Sequence, residues 1–286
     1  MKYEAKVIPE GINSSDENPL KELLLLIGGA FAVIALLIVL LAYLSDFLIG
    51  FISPEMESNW FTPELLDSAQ FETYQHETGE LAENQFEDAE LYLARLISLL
   101  KAKEKQAFKF TVTVYDDDLP NAFIIPGGHI FISVALFDAV NSENGLAMVL
   151  AHEMAHQYER HPIRTLGRGV LVSVALSAIL GNVASEWFGN LFIETATLGQ
   201  LAFSREQERD ADRIAVENLI AYYGHALGAD EFFRHINKNN KLSSSLPKFY
   251  QSHPGTEARI QFLNQKIDNQ KGQTTRLPKL ITDLQR

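Results

Sequence analysis

The sequence of 286 residues contains no cysteine, and basic residues are in the minority. Without cysteine the chain can form no disulfide, which fits a periplasmic protein and equally a cytosolic one. Lys and Arg together number 24 against 37 Asp and Glu, which gives a formal net charge of −13. Because phosphate binding needs a basic face and the sequence has no Lys/Arg cluster, nucleic acid is excluded as the main partner. The sequence also lacks a glycine-rich phosphate loop and internal repeats.

One long apolar run is present near the N-terminus. Residues 23–44 read LLLLIGGAFAVIALLIVLLAYL without a charge, which matches the roughly 20 residues that cross a bilayer. A cleaved signal peptide would have an apolar region of only about 7–15 residues and a small-x-small cleavage site, which is not evident here. We therefore expect a retained transmembrane helix at 23–44, after a disordered cytoplasmic tail at 1–22.

The orientation of this span follows from the basic residues near its ends, because these resist translocation. Lys2, Lys6 and Lys21 precede the span, and the next basic residue after it is Arg95. The sequence therefore predicts that the N-terminus is cytoplasmic and that the bulk of the chain lies on the other side of the membrane.

The segment 53–105 that follows is acidic and rich in good helix formers. Apolar residues recur at helical spacing near its end: Leu93, Leu96, Ile97 and Leu100. We expect one or two helices here, with the acidic residues on a solvated face; a docking surface for a basic partner is the alternative interpretation.

After this segment the pattern changes to that of strands. The alternation in FKFTVTVY, residues 108–115, predicts one strand, and NAFIIPGGHIFIS, residues 121–133, predicts two more, divided by its Pro-Gly-Gly turn. Helical patterns follow from residue 134 onward. Strands followed by helices, rather than alternating with them, indicate an α+β domain, which we place at 106–270 with a C-terminal tail at 271–286.

The stretch VLAHEMAHQYERHP, residues 149–162, carries the strongest chemical signal. Residues four apart lie on the same face of a helix, so His152 and His156 can direct both imidazoles at one metal ion. Glu153 lies close enough to reach a metal-bound water. Zinc lowers the pKa of such a water to about 7, and a neighbouring carboxylate can take its proton as the hydroxide attacks a peptide carbonyl. Histidines on a buried amphipathic helix are the alternative interpretation.

A catalytic zinc usually has three protein ligands, so a third ligand is needed. A metzincin would continue with a third histidine and a glycine at positions that here hold Pro162 and Glu159. That class is therefore excluded. His161 lies one residue too early and precedes a proline that ends the helix, so we do not expect it to be a ligand.

The stretch SREQERDADRIAVENLIAYY, residues 204–223, offers a glutamate ligand on a second helix. At 100° per residue, one face carries only charged side chains: Glu206, Asp210, Arg213 and Glu217. Glu208 and Asp212 fall instead on the apolar face, among Ala211, Ala215, Leu219 and Tyr222. Buried carboxylates need partners. A zinc ion would explain both, with Glu208 as the third ligand and Asp212 orienting a ligating histidine; a buried ion pair with Arg205 or Arg259 is the alternative.

Four motifs in order, NAFIIPGGHIFIS, LAHEMAHQYERHP, SREQERDAD and SHPGTEARI, resemble those of the membrane-associated zinc peptidases of the HtpX, CAAX prenyl endopeptidase and mitochondrial Oma type. The resemblance covers about residues 60–270. It implies a mostly helical zincin-type metallopeptidase domain with a small sheet. It also implies one zinc ion per subunit on His152, His156 and Glu208, with Glu153 as the base and Asp212 in a supporting role.

The resemblance assigns a site role to His253 as well, because the family carries a late His-Pro near the metal. His253 would donate a hydrogen bond to the developing oxyanion or occupy the open zinc position and hold the enzyme inactive. We expect the substrate to bind as an added strand along Asn121, Ala122 and Phe123. His129 is expected to be a strand residue rather than a ligand.

Residues 169–203 are very apolar, but Glu186 and Glu194 interrupt them. The first uninterrupted run is shorter than the roughly 18 residues expected for a span. We expect a helical hairpin that covers the site or touches the membrane surface, with a second pair of spans as the alternative.

Together these features predict a single-pass zinc endopeptidase of a bacterial inner membrane, with its catalytic domain in the periplasm. The resemblance implies misfolded envelope proteins as substrates. A membrane-anchored chaperone or adaptor that keeps the zinc-bound fold without proteolysis is the main alternative. A structural membrane protein with accidental motifs is the third.

Overall fold

The structure, a computed structural model, describes residues 18–61, 80–100, 108–180, 202–240, 249, 252–255, 257–268 and 270–285. In this part of the chain, helices surround a small three-stranded sheet, and one apolar helix precedes them. The α+β class and the mostly helical domain expected from the sequence are confirmed.

Helix α1 spans Pro19–Ile49 and contains the predicted membrane span 23–44. It begins where the Asn18 side chain accepts a hydrogen bond from the Leu20 N–H, and Pro19 suits the first turn because it has no N–H to satisfy. Only Ser45 and Ile49 of this helix are buried. Within the described part of the chain, α1 is the one helix that is long and apolar enough to cross a membrane.

Helices α2 (Pro54–Trp60) and α3 (Glu80–Leu100) occupy the acidic segment. Most of its described acidic side chains are exposed, as expected, but two acids depart from the predicted solvated face. Glu57 is fully buried, and the half-buried Glu90 accepts a hydrogen bond from the Val114 N–H at 2.7 Å. Burial raises the pKa of Glu90. The interpretation was wrong for these two residues because their partners lie far away in the sequence.

Strands β1 (Thr111–Tyr115), β2 (Ala122–Ile125) and β3 (His129–Ser133) form one sheet in the order β1-β3-β2. The central strand β3 is parallel to β1 and antiparallel to β2, so the sheet is mixed. The turn between β2 and β3 needs its glycines, because Gly127 and Gly128 have φ of 94° and 93°. Strand β2 lies at one edge of the sheet and against α5.

Helices α4 (Val134–Asp138), α5 (Glu143–Tyr158) and α6 (His161–Leu180) follow without a long break. Helix α5 ends before His161, as the proline predicts, but the chain then begins another helix at once. Arg160, in the left-handed region with φ of 58°, turns the chain between α5 and α6. Pro162 is tolerated because it falls in the first turn of α6.

Helix α7 (Arg205–Tyr223) is framed by strong sequence signals at both ends. Ser204 and Gln207 form a capping box at its start, and Gly224, with φ of 79°, ends it. Its two predicted faces occur in the structure with one exception: Tyr222, in the last turn of the helix, is exposed.

Helix α5 lies in the middle of the domain. Every residue from Asn144 to Gln157 is buried, because α7, β2 and α3 contact it on different sides. Helix α8 (Glu231–Asn240) also contacts α5, and α9 (Glu257–Ile267) contacts α7. The histidines of α5 therefore lie in the interior of the domain, where partners rather than solvent must satisfy their ring nitrogens.

The C-terminal stretch after residue 270 contacts the domain instead of extending away from it as a tail. The Thr275 carbonyl accepts a hydrogen bond from the Glu143 N–H at the start of α5. The short helix α10 (Lys279–Thr282) places Ile281 in the core, and Leu284 joins it. The apolar residues of this stretch recur at helical spacing, but the spacing does not show which surface they pack against: Leu277, Leu280, Ile281 and Leu284.

Helix α6 runs beside the end of α1. A Cβ atom on Gly167 would lie 2.8 Å from the Ser45 Oγ, so the two helices approach closely at this point. Two hydrogen bonds join the Arg168 guanidinium to the Asp46 carboxylate. An apolar cleft of about 260 Å³ lies between α1, α2 and α6. The hairpin predicted for 169–203 falls mainly on residues 181–201, which lie outside the described residues.

Candidate metal centre

Helix α5 supplies three of the predicted site residues. His152, Glu153 and His156 are each at most 2% exposed. The Nε2 atoms of the two histidines are 3.1 Å apart, so the four-residue spacing brings both rings to one point. The ring of His156 is stacked on Phe203, with centroids 4.0 Å apart, which fixes its orientation.

Helix α7 brings Glu208 and Asp212 to the same point. Both carboxylates are buried, whereas Glu206, two residues earlier, is exposed. Glu208 Oε1 lies 3.4 Å from His156 Nε2, and Glu208 Oε2 lies 3.5 Å from His152 Nε2. The two acids on the apolar face of α7 are therefore the ones that reach the histidines.

The fourth group comes from the segment that precedes α9. The His253 N–H donates to the Phe249 carbonyl at 2.8 Å, and the His253 ring stacks on that of Phe249 with centroids 4.5 Å apart. This places His253 Nδ1 at 3.1 Å from Glu208 Oε1 and 3.4 Å from His152 Nε2. His253 is completely buried.

One ligand atom from each of His152, His156, Glu208 and His253 lies within 4.8 Å of every other. Zinc–nitrogen bonds of 2.0–2.1 Å in a tetrahedron imply ligand separations of about 3.3 Å. The contacts of 3.1, 3.4 and 3.5 Å among these side chains are close to that value. The side chains therefore form a set of nitrogen and oxygen donors that fits one zinc ion.

Asp212 holds the other side of the His152 ring, with its Oδ1 at 3.0 Å from His152 Nδ1. Burial alone lowers the pKa of His152, but the carboxylates of Asp212 and Glu208 outweigh it and raise that pKa to about 9. Burial holds the pKa of His156 well below its ordinary value. A carboxylate that fixes a ring in this way leaves the opposite nitrogen free to bind metal.

Arg259 from α9 pairs with both carboxylates of α7. Its Nε and Nη2 donate to Asp212 at 2.7 and 2.8 Å, and its Nη1 lies 2.5 Å from Glu208 Oε2. Burial raises the pKa of Glu208, but His253 and Arg259 outweigh it, so that pKa lies well below its ordinary value. The ion pair weighed as an alternative therefore exists with Arg259, in addition to the cluster, whereas Arg205 is exposed.

Glu153 is set apart from the other acids because neither of its carboxylate oxygens has a hydrogen-bond partner among the described residues. Its Oε1 lies 3.6 Å from His253 Nε2. Burial raises the pKa of Glu153. A buried carboxylate that is not committed to a protein donor, beside a metal-binding cluster, is suited to accept a proton from water.

His161 is a contact that the sequence did not predict. It is not part of the four-residue cluster, but its Nδ1 lies 2.9 Å from His156 Nδ1. Burial, together with the Arg164 charge, lowers the pKa of His161 to about 4, so it faces His156 as a neutral ring. His161 thus helps to orient the ring of His156, a predicted ligand. The only sign of this contact in the sequence is that His161 lies close to the motif.

The substrate strand predicted from the sequence coincides with the start of β2, an edge strand of the sheet whose residues are buried. Ala122 and Phe123 belong to β2, which pairs on one side with β3. Asn121 precedes the strand, and its N–H donates to Ser133 Oγ at 2.8 Å, so this residue fixes the start of β2. His129 is a strand residue as expected, since its ring nitrogens contact Thr111 Oγ1 and the Phe61 carbonyl.

Comparison with known proteins defines the class. The sequence model of peptidase family M48 matches residues 83–267, and the chain belongs to this family of metallopeptidases. The predicted kinship with membrane-associated zinc peptidases is thereby confirmed.

Individual relatives are more distant. The chain is 28% identical over 173 residues to the mitochondrial metalloendopeptidase OMA1 of Schizosaccharomyces pombe, covering 59% of this chain and 50% of the relative. It is 30% identical over 161 residues to the beta-barrel assembly-enhancing protease of Escherichia coli K12, covering 53% of this chain and 33% of the relative. A putative beta-barrel assembly-enhancing protease of Vibrio cholerae gives 30% over 162 residues, covering 53% of this chain and 33% of the relative. The chain thus spans between a third and a half of the length of these relatives.

Proposed function

We propose that this protein is a membrane-anchored, zinc-dependent endopeptidase. The observation that carries the proposal is the arrangement at the end of α5. Four buried donor atoms lie within 4.8 Å of one another, and the uncommitted carboxylate of Glu153 lies beside them. A buried carboxylate without a hydrogen-bond partner is costly, and a purely structural site would have no use for it.

Each residue of the site has a separate proposed role. His152, His156 and Glu208 would hold the zinc, which when bound polarises water and the peptide carbonyl. Glu153 accepts a proton from the attacking water and passes it to the leaving amine. Asp212 keeps His152 in one orientation. The substrate lies extended along the edge of β2, where backbone hydrogen bonds bind it without reading its sequence.

The proposed cellular role rests on the names of the relatives and on the basic residues that precede α1. Two of the relatives described above are called beta-barrel assembly-enhancing proteases, which supports a role in quality control of envelope proteins here. The basic residues before α1 support a cytoplasmic N-terminus and a periplasmic catalytic domain in a bacterial inner membrane. Misfolded envelope proteins are then the proposed substrates.

The activity is tested by Glu153→Gln in the full chain. This variant is expected to bind zinc as the wild type does and to lose casein cleavage, by about 1,000-fold or more, because the proton acceptor is gone. Glu159→Gln is the matched control, since Glu159 follows α5 and is exposed. Metal content and proteolysis are measured on the same preparations. Cleavage by Glu153→Gln at the wild-type rate would refute the mechanism.

The ligand role of Glu208 is tested in the same way. Glu208→Gln should lower the zinc content sharply, whereas Glu206→Gln, an exposed neighbour on the same helix, should not. Full zinc occupancy of Glu208→Gln would remove Glu208 from the ligand set.

One observation favours a second candidate function, a non-proteolytic chaperone or adaptor. His253 Nδ1 occupies a corner of the cluster, where catalytic sites keep a position open for water. His253→Ala distinguishes the two. If His253 only blocks the metal, the variant cleaves casein faster than the wild type; if His253 stabilises the oxyanion, it cleaves more slowly. Full phenotypic rescue of a deletion strain by Glu153→Gln would favour the chaperone.

A further inference from the structure

Glu57 is a fully buried carboxylate outside the metal centre, and it lies in α2, directly after the membrane helix. Its Oε1 accepts hydrogen bonds from the Gly127 N–H at 3.0 Å and from the Gln157 side chain at 2.7 Å. Its Oε2 accepts from the Arg160 guanidinium at 2.6 Å. Each acceptor atom of this buried group therefore has a specific partner, which the cost of burying a charge requires.

The partners of Glu57 belong to two different parts of the proposed active site. Gly127 lies in the turn that directly follows β2, the edge strand proposed to bind substrate. Gln157 is the neighbour of the proposed ligand His156 near the end of α5, and Arg160 follows that helix. One carboxylate thus joins the substrate edge to the metal-binding helix.

Other bonds from α2 and the residue after it hold the same turn. Ser58 Oγ donates to the Gly127 carbonyl at 2.9 Å, so α2 binds both polar backbone groups of this glycine. The Phe61 carbonyl accepts a hydrogen bond from His129 Nε2 at 2.6 Å. A Cβ atom on Gly127 would lie 3.2 Å from the Phe61 carbonyl oxygen. The β2–β3 turn therefore packs closely against α2 and is held by hydrogen bonds from it.

Arg160 extends the connection toward the membrane. Its Nη1 donates to the Ile52 carbonyl at 2.5 Å, in the link between α1 and α2. Arg160 holds this position from a left-handed backbone conformation that non-glycine residues seldom adopt. Residues 52–61 lie outside the match to the M48 family, which begins at residue 83.

We propose that Glu57 is a positioning residue for catalysis and that α2, the segment next to the membrane, is part of the substrate site. Through Gly127 and Gln157, Glu57 holds the edge of β2 at a fixed distance from the metal-binding helix. This inference rests on the proposed endopeptidase function. Glu57 touches neither the proposed ligands nor Glu153, so it acts on substrate placement rather than on the chemical step.

The kinetic test uses the full chain in detergent with a fluorogenic peptide. Glu57→Gln is expected to raise KM about fivefold or more while kcat changes by less than about twofold and zinc content stays unchanged, the pattern of lost substrate binding. Glu55→Gln, on an exposed position of the same helix, is the matched control and should behave as the wild type. Equal KM values for the two variants would overturn the proposal, as would a loss of zinc in Glu57→Gln.

A second variant avoids dependence on a buried charge. Ser58→Ala removes only the hydrogen bond to the Gly127 carbonyl and leaves the Glu57–Arg160 pair intact. If Glu57→Gln fails to fold, a raised KM in Ser58→Ala supports the proposal and an unchanged KM overturns it.

A third measurement separates this inference from the proposed function. Hydrogen exchange at residues 121–129 is compared between Glu57→Gln and Glu55→Gln. Faster exchange in Glu57→Gln shows that α2 holds the turn, and equal exchange overturns this. If the zinc-loaded wild type cleaves no peptide at all, the endopeptidase function fails, while the exchange result still decides whether Glu57 positions the strand.

Discussion

Arg259 holds two carboxylates of the centre with a single guanidinium. Its fork matches Asp212 through two hydrogen bonds, and its remaining nitrogen contacts the oxygen Oε2 of Glu208. Lysine carries the same charge but no planar fork, so it can hold only one of these groups well. The arginine therefore fixes both Glu208, a proposed ligand, and Asp212, which contacts the proposed ligand His152.

We predict that Arg259→Lys weakens zinc binding about 10- to 100-fold, the usual effect of losing a group that orients metal ligands. Competition with a chelator measures this directly. Arg213→Lys is the control, because Arg213 forms exposed ion pairs on the same α7 that carries Glu208. Equal zinc affinities for the two variants would contradict the role of the fork.

Glu143, in the first turn of α5, accepts hydrogen bonds from two tyrosines. Tyr92 OH donates to one oxygen at 2.5 Å and Tyr223 OH to the other at 2.8 Å. Burial, reinforced by the Glu143 carboxylate, raises the pKa of the Tyr92 and Tyr223 phenols above the ordinary value for tyrosine. The folded state therefore holds these protons more tightly than the unfolded state does.

The sign of this shift gives a pH prediction. The stabilisation is complete below the unfolded tyrosine pKa of about 10 and is lost as pH rises above it. Tyr92→Phe should cost about 1 kcal/mol at pH 8 and less at pH 11. Thermal melting at both pH values measures this, and Tyr222→Phe, an exposed neighbour, is the control. A Tyr92→Phe difference that is equal at both pH values would contradict the shift.

Helices α1 and α6 meet at Gly167, where the absence of a side chain lets them approach. We predict that Gly167→Leu lowers the melting temperature in detergent, because the new side chain would overlap Ser45 and Ile49 and overpacking costs about 1–3 kcal/mol. Gly169→Leu is a close control. It gains the same helix propensity, but nothing lies within 4 Å of its added Cβ. Equal melting temperatures for the two variants would show that the helices do not pack as described.

Elements also differ in how far their own sequence predicts them. The strands at 121–133 follow from alternation and lie close to their predicted bounds, and α4 begins at Val134, where the helical pattern begins. The sequence did not predict that helix α6 begins directly after α5, nor that the C-terminal stretch packs against the domain. Pro162 indicates the end of one helix but carries no information about whether another begins, since proline suits a first turn.

The orientation of the whole protein in the membrane remains a prediction. Because the chain has no cysteine, Ser14→Cys and Asp283→Cys each introduce a single thiol. If the N-terminus is cytoplasmic, a membrane-impermeant maleimide should label Asp283→Cys in intact cells and Ser14→Cys only after lysis. The reverse pattern would place the catalytic domain in the cytoplasm.

The sequence by itself determined what depends on spacing within one element. An α-helix repeats every 3.6 residues, so the pairing of His152 with His156 and the burial of Glu208 and Asp212 on one face could be read directly. The membrane helix followed from length and composition in the same way.

Only the tertiary structure decided which distant groups meet. Glu57 and Arg160 are separated by 103 residues, and Arg259 and Asp212 by 47. Nothing in the local sequence favours one such partner over another charge, because the contact depends on how whole elements pack. His161 shows the same limit at short range: turning back from α5 into α6, rather than any periodicity, brings it against His156.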